Sequence, residues 1–133
     1  MYKRFIKIIF ASCILLAGLS ARAGDVEIKN VVMQKTGSSW SFEVTLKHGD
    51  TGWKHYANAW RVVDQKGKVI KTRILGHPHV DEQPFTRGLS GVNIPAGAKS
   101  VTVEARDKVH GWSKDKVVID LKVNKGKKYL IKQ

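Results

Sequence analysis

The chain has 133 residues, 24 Lys and Arg against 11 Asp and Glu, a formal net charge of +13, five histidines and one cysteine. That length fits one domain, large enough for a two-layer core and too small to bury a deep substrate cleft. A single cysteine excludes an intrachain disulfide and a thiolate zinc knot.

In chain order, Lys3, Arg4 and Lys7 precede an apolar run from Ile8 to Leu19, and Ala21-Arg22-Ala23 offers small residues at the two positions a signal peptidase reads. Residues 1–23 therefore read as a signal peptide cleaved after Ala23, with a periplasmic or secreted destination and Gly24 as the mature start. The run is too short to span a membrane. A competing reading begins at Phe10-Ala11-Ser12-Cys13, which faintly resembles a lipoprotein processing site but leaves few apolar residues ahead of the cysteine. Cleavage after Ala23 removes Cys13, so the mature chain would carry no cysteine nucleophile or thiolate ligand. It also removes Lys3, Arg4, Lys7 and Arg22, taking the net charge from +13 to +9. A protein this basic dwells near anionic cell-envelope surfaces, although lysines scattered over strand faces also serve simple solubility.

The mature chain has a period of two. Trp40, Phe42, Val44 and Leu46 alternate with polar residues, as do Val101, Val103 and Ala105, while Val117, Ile119 and Leu121 alternate with Val118, Asp120 and Lys122. With Val26 to Met33, Tyr56 to Val63, Val69 to Leu75 and Phe85 to Ile94 this predicts seven strands and no helix, an all-β immunoglobulin-like or fibronectin type III-like sandwich over residues 24–123 with Trp60 at its centre. Residues 124–133 read as a basic, frayed C-terminal tail. The connections at 35–38, 64–68 and 95–99 are short turns, as Asp64-Gln65-Lys66-Gly67 and Pro95-Ala96-Gly97 show. They alternate with longer connections at 48–55, 76–84 and 108–115, so an up-and-down trace gathers the longer ones at one end of the sandwich. That end holds all five histidines, His48, His55, His77, His79 and His110, together with Trp53, Trp112, Asp50, Asp81, Glu82, Asp107 and Asp115.

Three segments carry these residues: His48-x-Asp50-Thr51-Gly52-Trp53-x-His55-Tyr56-Ala57, His77-Pro78-His79-Val80-x-Glu82-Gln83-Pro84-Phe85-Thr86-Arg87-x-Leu89-Ser90-Gly91, and Arg106-Asp107-x-Val109-His110-Gly111. Over nearly the whole mature length the chain resembles a group of small exported proteobacterial proteins of unassigned function. The resemblance implies a stand-alone exported β-sandwich whose unusual residues are those of the long loops, and it brings no activity with it.

Residues two apart in an extended chain point to the same side about 7 Å apart, close enough for both imidazoles of His77-Pro78-His79 to reach one ion. His48, His55 or His110 would complete a three-histidine site, with Asp50, Asp81, Glu82 or Asp107 holding a ring through its second nitrogen. Nitrogen and oxygen donors suit copper(II) or zinc, and a blue-copper centre is excluded by the missing thiolate. The plain alternative is that the histidines brace the loops, that Asp50 and Asp107 cap turns, and that Arg87 pairs with Glu82 or Asp81. A further alternative is a non-metal ligand or protein held by Trp53, Tyr56, Arg87 and Trp112.

An enzyme is not the expectation. Gly88-Leu89-Ser90-Gly91 lacks the spacing of a nucleophile elbow, and adjacent Asp81 and Glu82 face different ways. No glycine-rich phosphate loop precedes a helix, and the aromatic residues lack an interleaved basic stripe for nucleic acid. The reading is a monomeric exported binding protein. The intact mass of the exported protein should correspond to a chain beginning at Gly24; a lipid-modified terminus at Cys13 would replace that cleavage with membrane anchoring.

Overall fold

The computed structural model describes residues 25–133, so the expected signal peptide and Cys13 lie outside the described residues. Eight strands form: β1 (Glu27–Thr36), β2 (Ser39–Lys47), β3 (Ala57–Asp64), β4 (Val69–Ile74), β5 (Phe85–Val92), β6 (Ser100–Asp107), β7 (Gly111–Asp120) and β8 (Tyr129–Lys132). They make two four-stranded sheets, ordered β5-β2-β1-β8 and β4-β3-β6-β7. The protein is an all-β sandwich.

Alternating apolar residues close the core between the sheets. Phe42, Val44 and Leu46 of β2 face Trp60 and Val62 of β3, Val101, Val103 and Ala105 of β6, and Ile119 of β7, and all are almost fully buried. In β1 the inward phase changes between Ile28 and Val31, both buried, and a register shift between Ile28 and Asn30 accommodates it. A bulge adds one residue and so lets both apolar pairs of the strand face inward.

Two expectations are corrected. The basic tail is ordered: Val31 to Gln34 of β1 pair in parallel with Tyr129 to Lys132 of β8. Tyr129 and Ile131 are buried while Leu130 and Lys132 face out, a two-residue period that the flanking lysines mask in the sequence. The chain returns to β1 over Gly126, whose N–H donates to the Tyr129 carbonyl at 3.0 Å and whose missing Cβ leaves room for the Tyr129 ring. The expected loop at 108–115 is also shorter, because β7 already begins at Gly111, which pairs with Asp107. Gly111 has a φ of 78°, the left-handed conformation that closes a three-residue hairpin loop.

Trp60 is completely buried, so Trp60→Ala should lower unfolding free energy by about 3 to 5 kcal/mol in a denaturant titration. Gly126→Ala forces a methyl into the Tyr129 ring. It should raise hydrogen exchange selectively at the β8 amides while the β3–β6 amides stay protected.

Candidate functional site

Because consecutive strands alternate in direction, the β2–β3 connection, the β4–β5 connection and the β6–β7 turn meet at one end. Asp50 ties the first two together. Its Oδ1 accepts from His48 Nδ1 at 2.5 Å and from the Ala57 N–H at 3.0 Å, while its Oδ2 accepts from the His79 N–H at 2.8 Å. Gln83 adds a second tie, its Oε1 accepting the His48 N–H and its Nε2 donating to the His79 carbonyl. A carboxylate only accepts, so the proton of the His48–Asp50 bond sits on Nδ1.

Asp107 organises the third segment. Its Oδ1 caps the β6–β7 turn, accepting from the N–H groups of Val109 at 2.8 Å and His110 at 2.6 Å. Its Oδ2 lies 3.0 Å from His110 Nδ1 and 3.8 Å from His48 Nε2. His55 comes in from the β2–β3 connection, where Thr51 donates to the His55 carbonyl and His55 donates to that of Gly52. Its Nε2 stands 3.5 Å from Asp107 Oδ1, and its ring meets those of His48 and His110 edge-on at 4.8 and 5.1 Å. Among the described residues, His55 Nε2 is buried without a hydrogen-bond partner, as is His79 Nδ1.

The structure thus divides the five histidines. His48, His55 and Asp107 each offer one ligating atom, all within 4.8 Å of one another. His110 flanks this group through Asp107, with its side chain 42% exposed. His77 and His79 stand outside it, their own rings 4.6 Å apart. His79 is stacked on Phe85 at 3.9 Å, and the Arg87 guanidinium, which can only donate, takes its Nε2 at 2.9 Å. Burial, the Arg87 charge and His77 hold the His79 ring below the usual histidine pKa, so it is neutral. The pair that looks most ligand-like in sequence therefore has one member committed to packing.

Asp107, read from the sequence as a support for a ligating ring, belongs to the candidate ligand group itself. Asp50 has the supporting position. Arg87 pairs with Glu82 at 3.3 Å, and its hydrogen bond holds the Glu82 carboxyl below its ordinary range; Asp81 is exposed. Trp53, 63% exposed, meets Tyr56 edge-on, and Lys108 donates to the Trp53 carbonyl at 2.8 Å. With His77, Pro78, His79 and Glu82, Trp53 borders a shallow recess. Trp112 is not at this end surface as a loop residue. It lies in β7, covered by the Arg61 guanidinium at 3.6 Å with Arg106 beyond at 5.1 Å. The shortened β6–β7 turn accounts for the displacement.

What this arrangement can do follows from charge. The Asp50 and Asp107 side chains are fully buried, and the partners gathered around Asp107 are backbone N–H groups and imidazoles, with no lysine or arginine paired to it among the described residues. A buried carboxylate in such company needs a proton on a neighbouring ring or a metal ion.

The class defined by fold and site is a β-sandwich with a histidine–carboxylate cluster at its loop end. Among known proteins, one from Halomicrobium mukohataei described as "Putative lipoprotein" is 33% identical over 97 residues, covering 72% of this chain and 47% of that protein. The chain spans about half the length of this curated relative. No protein-family model matches the chain, and no solved structure matches it.

Asp50→Ala should cost about 2 to 4 kcal/mol of stability, since it leaves the buried N–H groups of Ala57 and His79 without an acceptor. The depressed His79 value sets a pH dependence. The unfolded chain takes up a proton at His79 near the ordinary value of 6.5 while the native ring resists it. The His79 contribution is therefore fully present above that pH and is lost as pH falls through and below it, until the native ring also protonates. Chemical denaturation from pH 8 to pH 5 should show a decline that flattens in His79→Phe.

Proposed function

We propose that this is an exported β-sandwich, immunoglobulin-like in architecture, that holds a divalent transition metal, zinc or copper(II), between His48 Nε2, His55 Nε2 and the Asp107 carboxylate. The observation that carries the proposal is His55 Nε2, a buried nitrogen without a hydrogen-bond partner, facing a fully buried carboxylate within the span of one coordination sphere. A metal would take the His55 lone pair and neutralise Asp107 together. The hydrogen bond from His48 to Asp50 fits this role, because a carboxylate behind a ligating imidazole fixes its tautomer and raises its basicity. Three protein ligands leave a position for water or another donor, and His110 is the nearest further imidazole. The chemistry suits holding or delivering the ion.

Export is supported by the basic, apolar and small-residue pattern of residues 1–23 and by the description of the Halomicrobium mukohataei relative as a lipoprotein. That description also lends support to processing at Cys13, which would keep the protein at a membrane. A second reading is favoured by Trp53: an aromatic ring 63% exposed beside the His77–Glu82 recess suits a non-metal ligand or a partner at the same end.

Titration calorimetry with zinc and copper(II) on purified, tag-free, metal-stripped protein tests the proposal. One ion should bind per chain, and His55→Ala should weaken it by two orders of magnitude or more, while His77→Ala leaves affinity within about threefold. His55 has an orphaned ring nitrogen, so its loss should change thermal stability little in the absence of metal. Affinity should fall as pH drops through about 6.5, where protons compete for imidazole. No binding by the parent, or equal binding by His55→Ala, rejects the site.

A further inference from the structure

The ordering of β8 gives the C-terminal lysines fixed positions. Two adjoining recesses run between β7 and the chain leading into β8, and both have Val118 and Tyr129 in their lining. Lys116, Lys127 and Lys128 border one, and Lys99 and Lys122 border the other. Lys116 is paired with Glu104 at 2.8 Å and Lys128 with Asp115 at 3.6 Å, whereas Lys99, Lys122 and Lys127 have no carboxylate partner among the described residues. The acid in the lining, Asp120, turns its Oδ1 to the Lys122 N–H. Val118 stands among these charges 64% exposed.

We infer that this flank docks on an anionic lipid bilayer. The inference does not rest on the metal reading. Two features favour a lipid surface over an acidic protein. The cations lining the recesses are all lysines, point charges that accept headgroup phosphates from any direction, whereas paired carboxylates of a folded partner favour the planar fork of arginine. An exposed valine ringed by lysines also matches the boundary between headgroups and acyl chains, where an apolar side chain gains from burial and an ammonium from surface potential.

Co-sedimentation of the full exported chain with vesicles of phosphatidylcholine, with and without one third phosphatidylglycerol, tests the inference. Binding should require phosphatidylglycerol and fall steeply between 0.05 and 0.5 M salt. Changing Lys99, Lys122 and Lys127 together to Gln should weaken it about a hundredfold, given roughly a tenfold or smaller loss per lysine. All three are exposed and lack ion pairs, so the melting temperature should hold. Lys54, Lys71 and Lys108, exposed in the β2–β3 connection, on β4 and in the β6–β7 turn and bordering neither recess, provide a control triple with the same charge change that should retain binding. Absence of binding by the parent, equal loss in both triples, equal binding to neutral vesicles, or polyglutamate binding the flank as tightly as the vesicles do would each overturn it.

Discussion

The loop end depends on one buried carboxylate. Asp50 is seven residues from Ala57 and 29 from His79, yet it accepts a hydrogen bond from the backbone of each and a third from the His48 ring. A desolvated anion is costly unless donors surround it, and Asp50 has donors on both oxygens. The β2–β3 connection cannot move without exposing the N–H of His79. The β4–β5 connection cannot move without loosening the group that orients His48. Two connections that each cross between the sheets behave as one element, which is why a site of histidines can be rigid at the tip of a sandwich.

Asp107 is buried to the same degree with a different complement. Its two backbone donors come from its own turn, and its remaining neighbours are His48, His55 and His110. Backbone donors shape the hairpin but carry no net charge. The contrast divides the two acids: Asp50 takes its donors from two different loops, while Asp107 takes its backbone donors from its own turn and otherwise faces imidazoles. The same geometry that closes the β6–β7 turn therefore sets Asp107 among the three imidazoles.

Much of this was legible from the residues. Trp40, Phe42, Val44 and Leu46 show their strand by period alone, and the alternation of short and long connections gathers the histidines at one end because antiparallel strands return the chain to the same side each second turn. Period and counting carry no information on side-chain pairing, so the division of the histidines into two groups was hidden. The stack of His79 on Phe85 and its bond from Arg87 depend on the pitch of β5 relative to the loop before it. Local charge obscured β8, where Tyr129 and Ile131 alternate among lysines over only four residues. Trp112 was misplaced because Asp107 and Gly111 close the turn earlier than the polar run Ser113-Lys114-Asp115 suggests; Ser113 in fact points inward and accepts the Val26 N–H at 2.8 Å.

The two histidine groups then acquire different physical characters from their neighbours. A ring stacked on an aromatic face and bonded by a guanidinium is stabilised as a neutral acceptor, and drawing its Nε2 to a metal would take that bond from Arg87, leaving it those to Glu82 and the Thr86 carbonyl. His55 has no such commitment: its backbone is held by Thr51 and Gly52, which leaves the ring nitrogen buried beside Asp107 without a partner. Native structures rarely keep such a nitrogen idle, because its desolvation is then uncompensated. The sandwich tolerates it since stability comes from the core around Trp60, well separated in function from the loop end. His55 Nε2 differs from the other buried atoms without a hydrogen-bond partner among the described residues, Trp60 Nε1, Arg73 Nε and His79 Nδ1, in belonging to a group of ligating atoms that lie within 4.8 Å of one another.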